Sequence, residues 1–330
     1  MKQFIINKQP VIKRKEEADI ISCQQSVLRT LAYFDIFHYP LNAEEIRIFA
    51  DTEMPDPLFT TCLQQLQEED IVFAHHEFYS LQNNPLLVHR RRRGNERAAQ
   101  LLLKAERIGR FLYQFPFVRA VGISGSLSKN FADEKADIDF FIITSANRLW
   151  IARTFMHLFK KLTYLAGRQH FYCMNYYIDE KAMLLEEKNI FTAIELKTLL
   201  PVSGEKIMQQ FFGANKWTDQ WLPLCDFRLQ QRKDPSRSWF KQCTEWLLSN
   251  RVANQLENYL FKITTRRWEK KAAQGKRNRK GQALGLITGK HFAKSNSGSF
   301  QEKILLQYEQ RLSLIKEREH SSSFIVSSAT

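Results

Sequence analysis

The stretch Val121–Thr144, VGISGSLSKNFADEKADIDFFIIT, decides how the rest of the chain is read. Its first part completes the run RAVGISG, an apolar strand that ends in small residues. Its last part, ADIDFFIIT, is a second strand. Side chains alternate across a strand, so Asp137 and Asp139 point to the same face while Ile138 and Phe140 take the other. Beyond the pair, Phe141, Ile142 and Ile143 are apolar on both faces, the pattern of a central strand. Two carboxylates at the start of such a strand repel each other and are costly to desolvate, which invites a divalent cation. Mg²⁺ accepts one or two protein carboxylates and completes its shell with water and phosphate oxygens. Upstream, Gly125-Ser126 forms a turn whose backbone can approach a phosphate closely, and free amides at a following helical turn attract an anion. Lys129 adds a point charge. A phosphate cradle and a metal pair on adjacent strands are the minimum for phosphoryl or nucleotidyl transfer.

Outward from this stretch, RLWIARTFMHLFKKLTYLAG reads as a long amphipathic helix and HFYCMNYYID as a third strand. Upstream, His89–Arg93 (HRRRR) opens a helix carrying Ala99, Leu102, Leu103, Ile108, Leu112 and Phe115. Strands alternating with helices make residues 89–185 an α/β or α+β core. Residues 1–19 are polar and mixed in charge and read as a loose arm. Within 20–88, Ile21, Val27, Leu28, Leu31 and Phe34 recur at helical spacing. Asn42 and Glu45 form a capping box before AEEIRIFA. Asp56-Pro57, read as a cap and a first helical proline, opens LFTTCLQQLQEE with Leu58, Cys62, Leu63 and Leu66 on one face. IVFAHHEFYSL then reads as a hairpin. Three helices and a hairpin resemble a winged-helix module. Residues 186–318 read as almost wholly helical and basic, with loops near 213–237, and 319–330 as a frayed tail.

The order Ile123-Ser124-Gly125-Ser126, a ten-residue spacer, then Asp137-Ile138-Asp139-Phe140, resembles the polymerase-beta-type nucleotidyltransferase superfamily. The likeness covers roughly 96–180. It implies Mg²⁺-dependent transfer of a nucleoside monophosphate from an NTP to an acceptor hydroxyl, with pyrophosphate leaving. By the same resemblance, Asp137 and Asp139 hold the metal, and Gly125, Ser126 and Lys129 hold the triphosphate. A third carboxylate from the next strand usually completes such a site and can accept the proton of the attacking hydroxyl. Here Phe171, Cys173, Asn175, Tyr177 and Asp179 share the period-two face, and the central position is Asn175. Asn175, or Glu195 from FTAIELKTLL, is left to finish the site. Uncharacterised bacterial proteins with a nucleotidyltransferase domain and a winged-helix-like module have this combination. A different class stays open: a catalytically inactive nucleotidyltransferase fold acting as an antitoxin-like regulator that binds nucleotide or protein. So does a winged-helix transcriptional regulator, although residues 56–70 hold no Lys or Arg and end in Glu68-Glu69-Asp70, which would meet phosphates badly.

Composition bounds these readings. The chain has 330 residues, 44% hydrophobic and 25% charged, with 12 Gly and 9 Pro, which excludes collagen-like or mostly disordered classes. No apolar run is long enough to span a bilayer, so no membrane partner is expected. The first nineteen residues have no signal-peptide pattern. The five cysteines are widely spaced and none forms a C-x-x-C pair, which points to free thiols in a reducing cytoplasm. Lys and Arg total 49 against 35 Asp and Glu, and the net +14 favours a polyanion such as NTP or nucleic acid. Residues 266–280 hold eight of these cations and one Glu, and read as a flexible basic loop for nucleic acid. Arg90–Arg93 reads equally as a phosphate contact or as a solvated helix face or domain-interface clamp. Gly122–Ser126 misses the hydrolase elbow at its last position, and Gly285–His291 misses the P-loop by spacing and by its last residue. His75-His76 reads as an exposed pair on the wing.

Overall fold

A computed structural model describes residues 9–134, 136–164, 173–228, 234–275, 286–295 and 298–327. The chain is mixed α+β and divides into two units. The first comprises Met1–Arg91, Asp219–Cys225 and Ile304–Thr330; the second comprises Arg92–Thr218 and Asp226–Lys303.

In the first unit, helix α1 spans Gln9–Asp35. It begins within the segment read as an arm, because KRKEEAD is made of good helix formers behind a proline in the first turn. Its buried side includes Cys23, Val27, Leu28, Leu31 and Phe34, while the expected Ile21 is exposed. Strand β1 (Leu41–Asn42) leads into α2 (Ala43–Ile48). The capping box is formed: Asn42 accepts from the Glu45 amide at 2.8 Å, and Glu45 accepts from the Asn42 amide at 3.0 Å. Helix α3 (Asp56–Glu68) is capped by Pro55, which makes Asp56 the first helical residue rather than the cap. Phe59, Cys62, Leu63 and Leu66 are its buried residues, so Phe59 takes the place expected for Leu58. Strands β2 (Phe73–His75) and β3 (Phe78–Ser80) form the expected hairpin, and β1 joins β3 to make a three-stranded antiparallel sheet.

The arginine run does not open its helix, since α4 begins at Leu86 and continues to Leu112. Arg91 is buried against Tyr39 and Phe78, with its guanidinium 4.4 and 4.2 Å from the ring centres. It donates to the Pro40 carbonyl and, at 2.6 Å, to Glu45. Arg90 donates to the carbonyls of Phe37 and His38. The partners of these two arginines all lie inside the first unit, which is not the domain-interface clamp expected. The last helix of the chain, Gly298–Ser327, runs through most of the segment read as a tail; in this unit its Arg311 pairs with Asp35 at 2.7 Å.

The second unit is built on one six-stranded sheet. Strands β4 (Val118–Ser124), β5 (Asp139–Thr144) and β6 (Cys173–Asp179) are those expected, β5 starting at its second aspartate. β4 and β5 are antiparallel; β5 and β6 are parallel, joined through α6 (Leu149–Tyr164), as a crossover connection requires. Residues 165–172, the end of the expected helix and the start of the expected strand, lie outside the described residues. The region from 186 onward is not wholly helical. It supplies β7 (Leu200–Ser203), β8 (Leu286–Thr288) and β9 (Phe292–Ser295), and the strand order is β7-β4-β5-β6-β9-β8. Segments of three or four residues carry too few alternations to stand out beside helical runs; pairing of β7 with β4, β9 with β6 and β8 with β9 makes them strands.

One face of this sheet packs Ala98, Ala105, Ile108 and Leu112 of α4 and Trp150 and Met156 of α6 against Phe140, Ile142 and Tyr177. The other packs Phe141, Ile143 and Ile178 against α7 (Ile190–Lys197) and α8 (Glu205–Ala214) through Leu196, Met208, Phe211 and Phe212. With helices on both sides, β5 is the buried central strand its composition implied. Two further helices, α9 (Trp239–Leu247) and α10 (Arg251–Ala273), follow. The basic stretch is therefore helical to Ala273 rather than a loop, and its residues 276–280 lie outside the described residues. No helix among the described residues is long and apolar enough to cross a membrane.

Candidate functional site

The site forms where β4 ends and β5 begins. Ser124 pairs with Asp139 across the two strands, so the chain leaving β4 starts its turn beside the first residue of β5. Gly125 opens a short helix, α5 (Gly125–Ser128), with φ +73°, the left-handed region that disfavours a side chain. A Cβ on Gly125 would stand 2.7 Å from Asp139 Oδ2. The glycine is thus required twice, by backbone conformation and by the carboxylate against it. Ser128 closes the turn by donating to the Gly125 carbonyl at 2.8 Å, and Ser126 is exposed at its outer edge.

Asp137 lies just before β5. The alternation expected of the pair holds: Ile138 and Phe140 are fully buried, while Asp137 and Asp139 are partly exposed. Both carboxylates act on one neighbouring atom. The Cys173 thiol is pushed up to about 11, by burial first and then by Asp139, with Asp137 adding to it and Lys160 opposing. Cys173 is the residue that β6 pairs with Asp139. Lys160 of α6, which carries no signal in the sequence beyond its helix, bears on the same atom.

Asn175 reaches the site differently from its expected role. The pairing of β5 with β6 shifts register between Phe140 and Phe141, and Asn175 is the extra residue of β6. This bulge breaks the period-two face: Tyr177 joins Met174 in one core cluster, and Tyr176 joins Ile178 against the other. The Asn175 amide nitrogen donates to Asp139 Oδ1, and its oxygen accepts from the Cys173 thiol at 3.1 Å. Asn175 is a hydrogen-bond partner of the carboxylate rather than a third acid. Asp179 is remote from this role. It is fully buried, accepting from the amides of Asn147 (2.7 Å) and Lys181 (2.9 Å), with His291 Nδ1 at 2.8 Å.

Lys129 joins the two remaining candidates. Its ammonium donates to the Gly125 carbonyl at 3.1 Å and to Glu195 at 2.7 Å, both partners only partly exposed. Glu195 of α7 therefore enters the site through the lysine. Among the described residues, no three His, Cys, Asp or Glu side chains converge as a metal-binding group. Asp137 and Asp139 are hard oxygen donors of the kind that could hold one Mg²⁺, an ion that takes one or two protein carboxylates and fills its shell from elsewhere. Comparison of the chain with family models, curated proteins and solved structures finds no match in any of the three.

Proposed function

We propose that this chain binds an NTP with Mg²⁺ at the Gly125–Lys129 turn and transfers its nucleoside monophosphate to an acceptor hydroxyl. The observation that carries the reading is the contact of Gly125 with Asp139, which puts a phosphate-type turn and a carboxylate at one spot. Asp137 and Asp139 would hold the metal, which supplies charge neutralisation on the phosphates. Gly125 and Ser126 offer backbone and hydroxyl groups to the triphosphate, and Lys129 a cation. The sheet supports the reading: the turn and the aspartates lie on the adjacent strands β4 and β5, with β6 as the next strand. In the first unit, three helices and a small sheet are compatible with a winged-helix module. The acidic end of α3 suits a protein or substrate contact better than DNA.

A second reading is favoured by one observation. Asn175 donates to Asp139, so the third strand brings no base, and a nucleotide-binding protein without transfer activity fits that hydrogen bond. Calorimetric titration of each NTP with and without Mg²⁺ tests both. The wild-type chain should bind in a Mg²⁺-dependent manner, and Asp139→Asn should weaken binding at least about tenfold. Unchanged affinity in the variant refutes the metal role. Mg²⁺-dependent binding with no pyrophosphate release, against a broad set of acceptors, selects the second reading.

A further inference from the structure

Helix α9 is built inside out, and α10 carries apolar side chains on its solvent side as well. In α9 the charged residues face the protein. Lys241 is buried, donating to the carbonyls of Tyr113 (2.6 Å) and Val118 (2.7 Å), with its ammonium 4.1 Å from the Tyr113 ring centre. One turn on, Glu245 accepts from the Phe117 amide at 2.7 Å and pairs with Arg119 at 2.8 Å. The opposite face is left to Trp239, Phe240, Trp246 and Leu247, with the two indoles 78% and 82% exposed. Helix α10 packs Ala253, Leu260 and Phe261 against the core, but it too carries a buried acid and leaves apolar side chains outside. Glu257 is buried and accepts from the amides of Trp150 (2.8 Å) and Ile151 (2.9 Å). Val252, Leu256, Tyr259 and Ile263, spaced four, three and four residues apart, all face solvent. The same spacing continues to the exposed Arg266 and Lys270, so one stripe turns from apolar to basic along the helix. Of the acids on these helices, Glu245 and Glu257 are turned inward, and Glu269 alone is exposed.

A pair of indoles at such exposure on one helix, and an aliphatic stripe on the next, mark interaction surface rather than scattered surface apolarity. We propose that these faces dock on an anionic lipid bilayer, the rings and aliphatic side chains entering the headgroup boundary while Arg266, Arg267 and Lys270 meet the phosphates. Charge complementarity argues for this occupant: the stripe ends in cations, two of the three acids on these helices are withdrawn, and the chain carries +14. Trp and Tyr favour the water–lipid boundary, and Lys or Arg beside Trp and Leu is the composition of an interfacial helix. Nucleic acid would use the cations and rings but offers nothing to Val252, Leu256, Ile263 and Leu247. A second copy would set like charge against like. Lying in the interface needs no spanning helix.

Flotation of the full chain with vesicles tests the inference. The protein should float with mixed phosphatidylcholine and phosphatidylglycerol vesicles, not with phosphatidylcholine alone, and less at high salt. Trp239→Ser with Trp246→Ser should lower partitioning about tenfold per ring without changing the melting curve, since both rings are already in water. Arg266→Gln, Arg267→Gln and Lys270→Gln should each cost about fivefold on anionic vesicles. Failure to float on anionic vesicles at low salt overturns the proposal, as does wild-type flotation of the double Trp variant. It is equally overturned if the vesicles do not bind and the Trp variant instead abolishes RNA binding or a dimer seen by sedimentation.

Discussion

Gly125→Ala perturbs the backbone and the carboxylate together. The residue sits at φ +73°, where an L side chain costs about 1–2 kcal/mol. The new Cβ would meet Asp139 Oδ2 at 2.7 Å, so the carboxylate must retreat by about 0.7 Å to reach the 3.4 Å at which ordinary contact begins. That retreat is resisted by the Asn175 hydrogen bond to Oδ1. The sum is a destabilisation of roughly 1–3 kcal/mol, and each kcal/mol lowers the melting temperature by about 2–4 °C in a unit of this size. A misplacement approaching 1 Å at a reacting group can cost up to about a hundredfold, so NTP affinity or turnover should fall by about ten- to a hundredfold. Differential scanning fluorimetry and calorimetric titration read the two effects separately. Gly213→Ala is the control: it lies in α8 with nothing within 4 Å of the added carbon, and should raise stability by up to about 1 kcal/mol. If Gly125→Ala melts with the wild type and binds NTP with unchanged affinity, the turn is neither strained nor part of the site, and the reasoning fails.

Two further expectations concern buried charges in the second unit. Burial lowers the Lys241 ammonium from 10.5 to about 7, opposed first by Glu245. The unfolded chain therefore binds the extra proton between those values, and stability should climb from about pH 7 towards pH 10 and lie flat below, as far as this group is concerned. Guanidinium unfolding midpoints across that range should lose the slope in Lys241→Met; an unchanged slope assigns it to other groups. Glu257→Gln turns an amide NH₂ toward one of the two backbone N–H groups that the carboxylate now caps, and should cost about 1–3 kcal/mol in chemical unfolding. Wild-type stability in that variant would mean the α6 cap is formed by something else.

Much of the site was legible in the chain because its signals are local. The Asp137/Asp139 spacing reads directly as one face of a strand, and Gly125-Ser126 as a turn between strands. The Asn42/Glu45 box and the hairpin around His76 are likewise set by neighbours within a few residues. What only the tertiary structure decided depends on pairing at a distance. Asn175 became a partner of Asp139 because the β5–β6 pairing inserts a bulge, and a bulge leaves no mark on alternation until the partner strand is known. Lys129 and Glu195 met because α7 packs on that side of the sheet, 66 residues from the lysine. Strands β7, β8 and β9 are too short to show a period, and their backbone groups are strands only because β4 and β6 offer open edges. Most of all, a helical pattern shows that one face is apolar without saying which face is turned inward. In α9 and α10 the carbonyls and amides of Tyr113, Val118, Phe117, Trp150 and Ile151 claimed Lys241, Glu245 and Glu257. A buried polar group without a partner costs more than an exposed indole, and so the aromatic side of α9 was left in water.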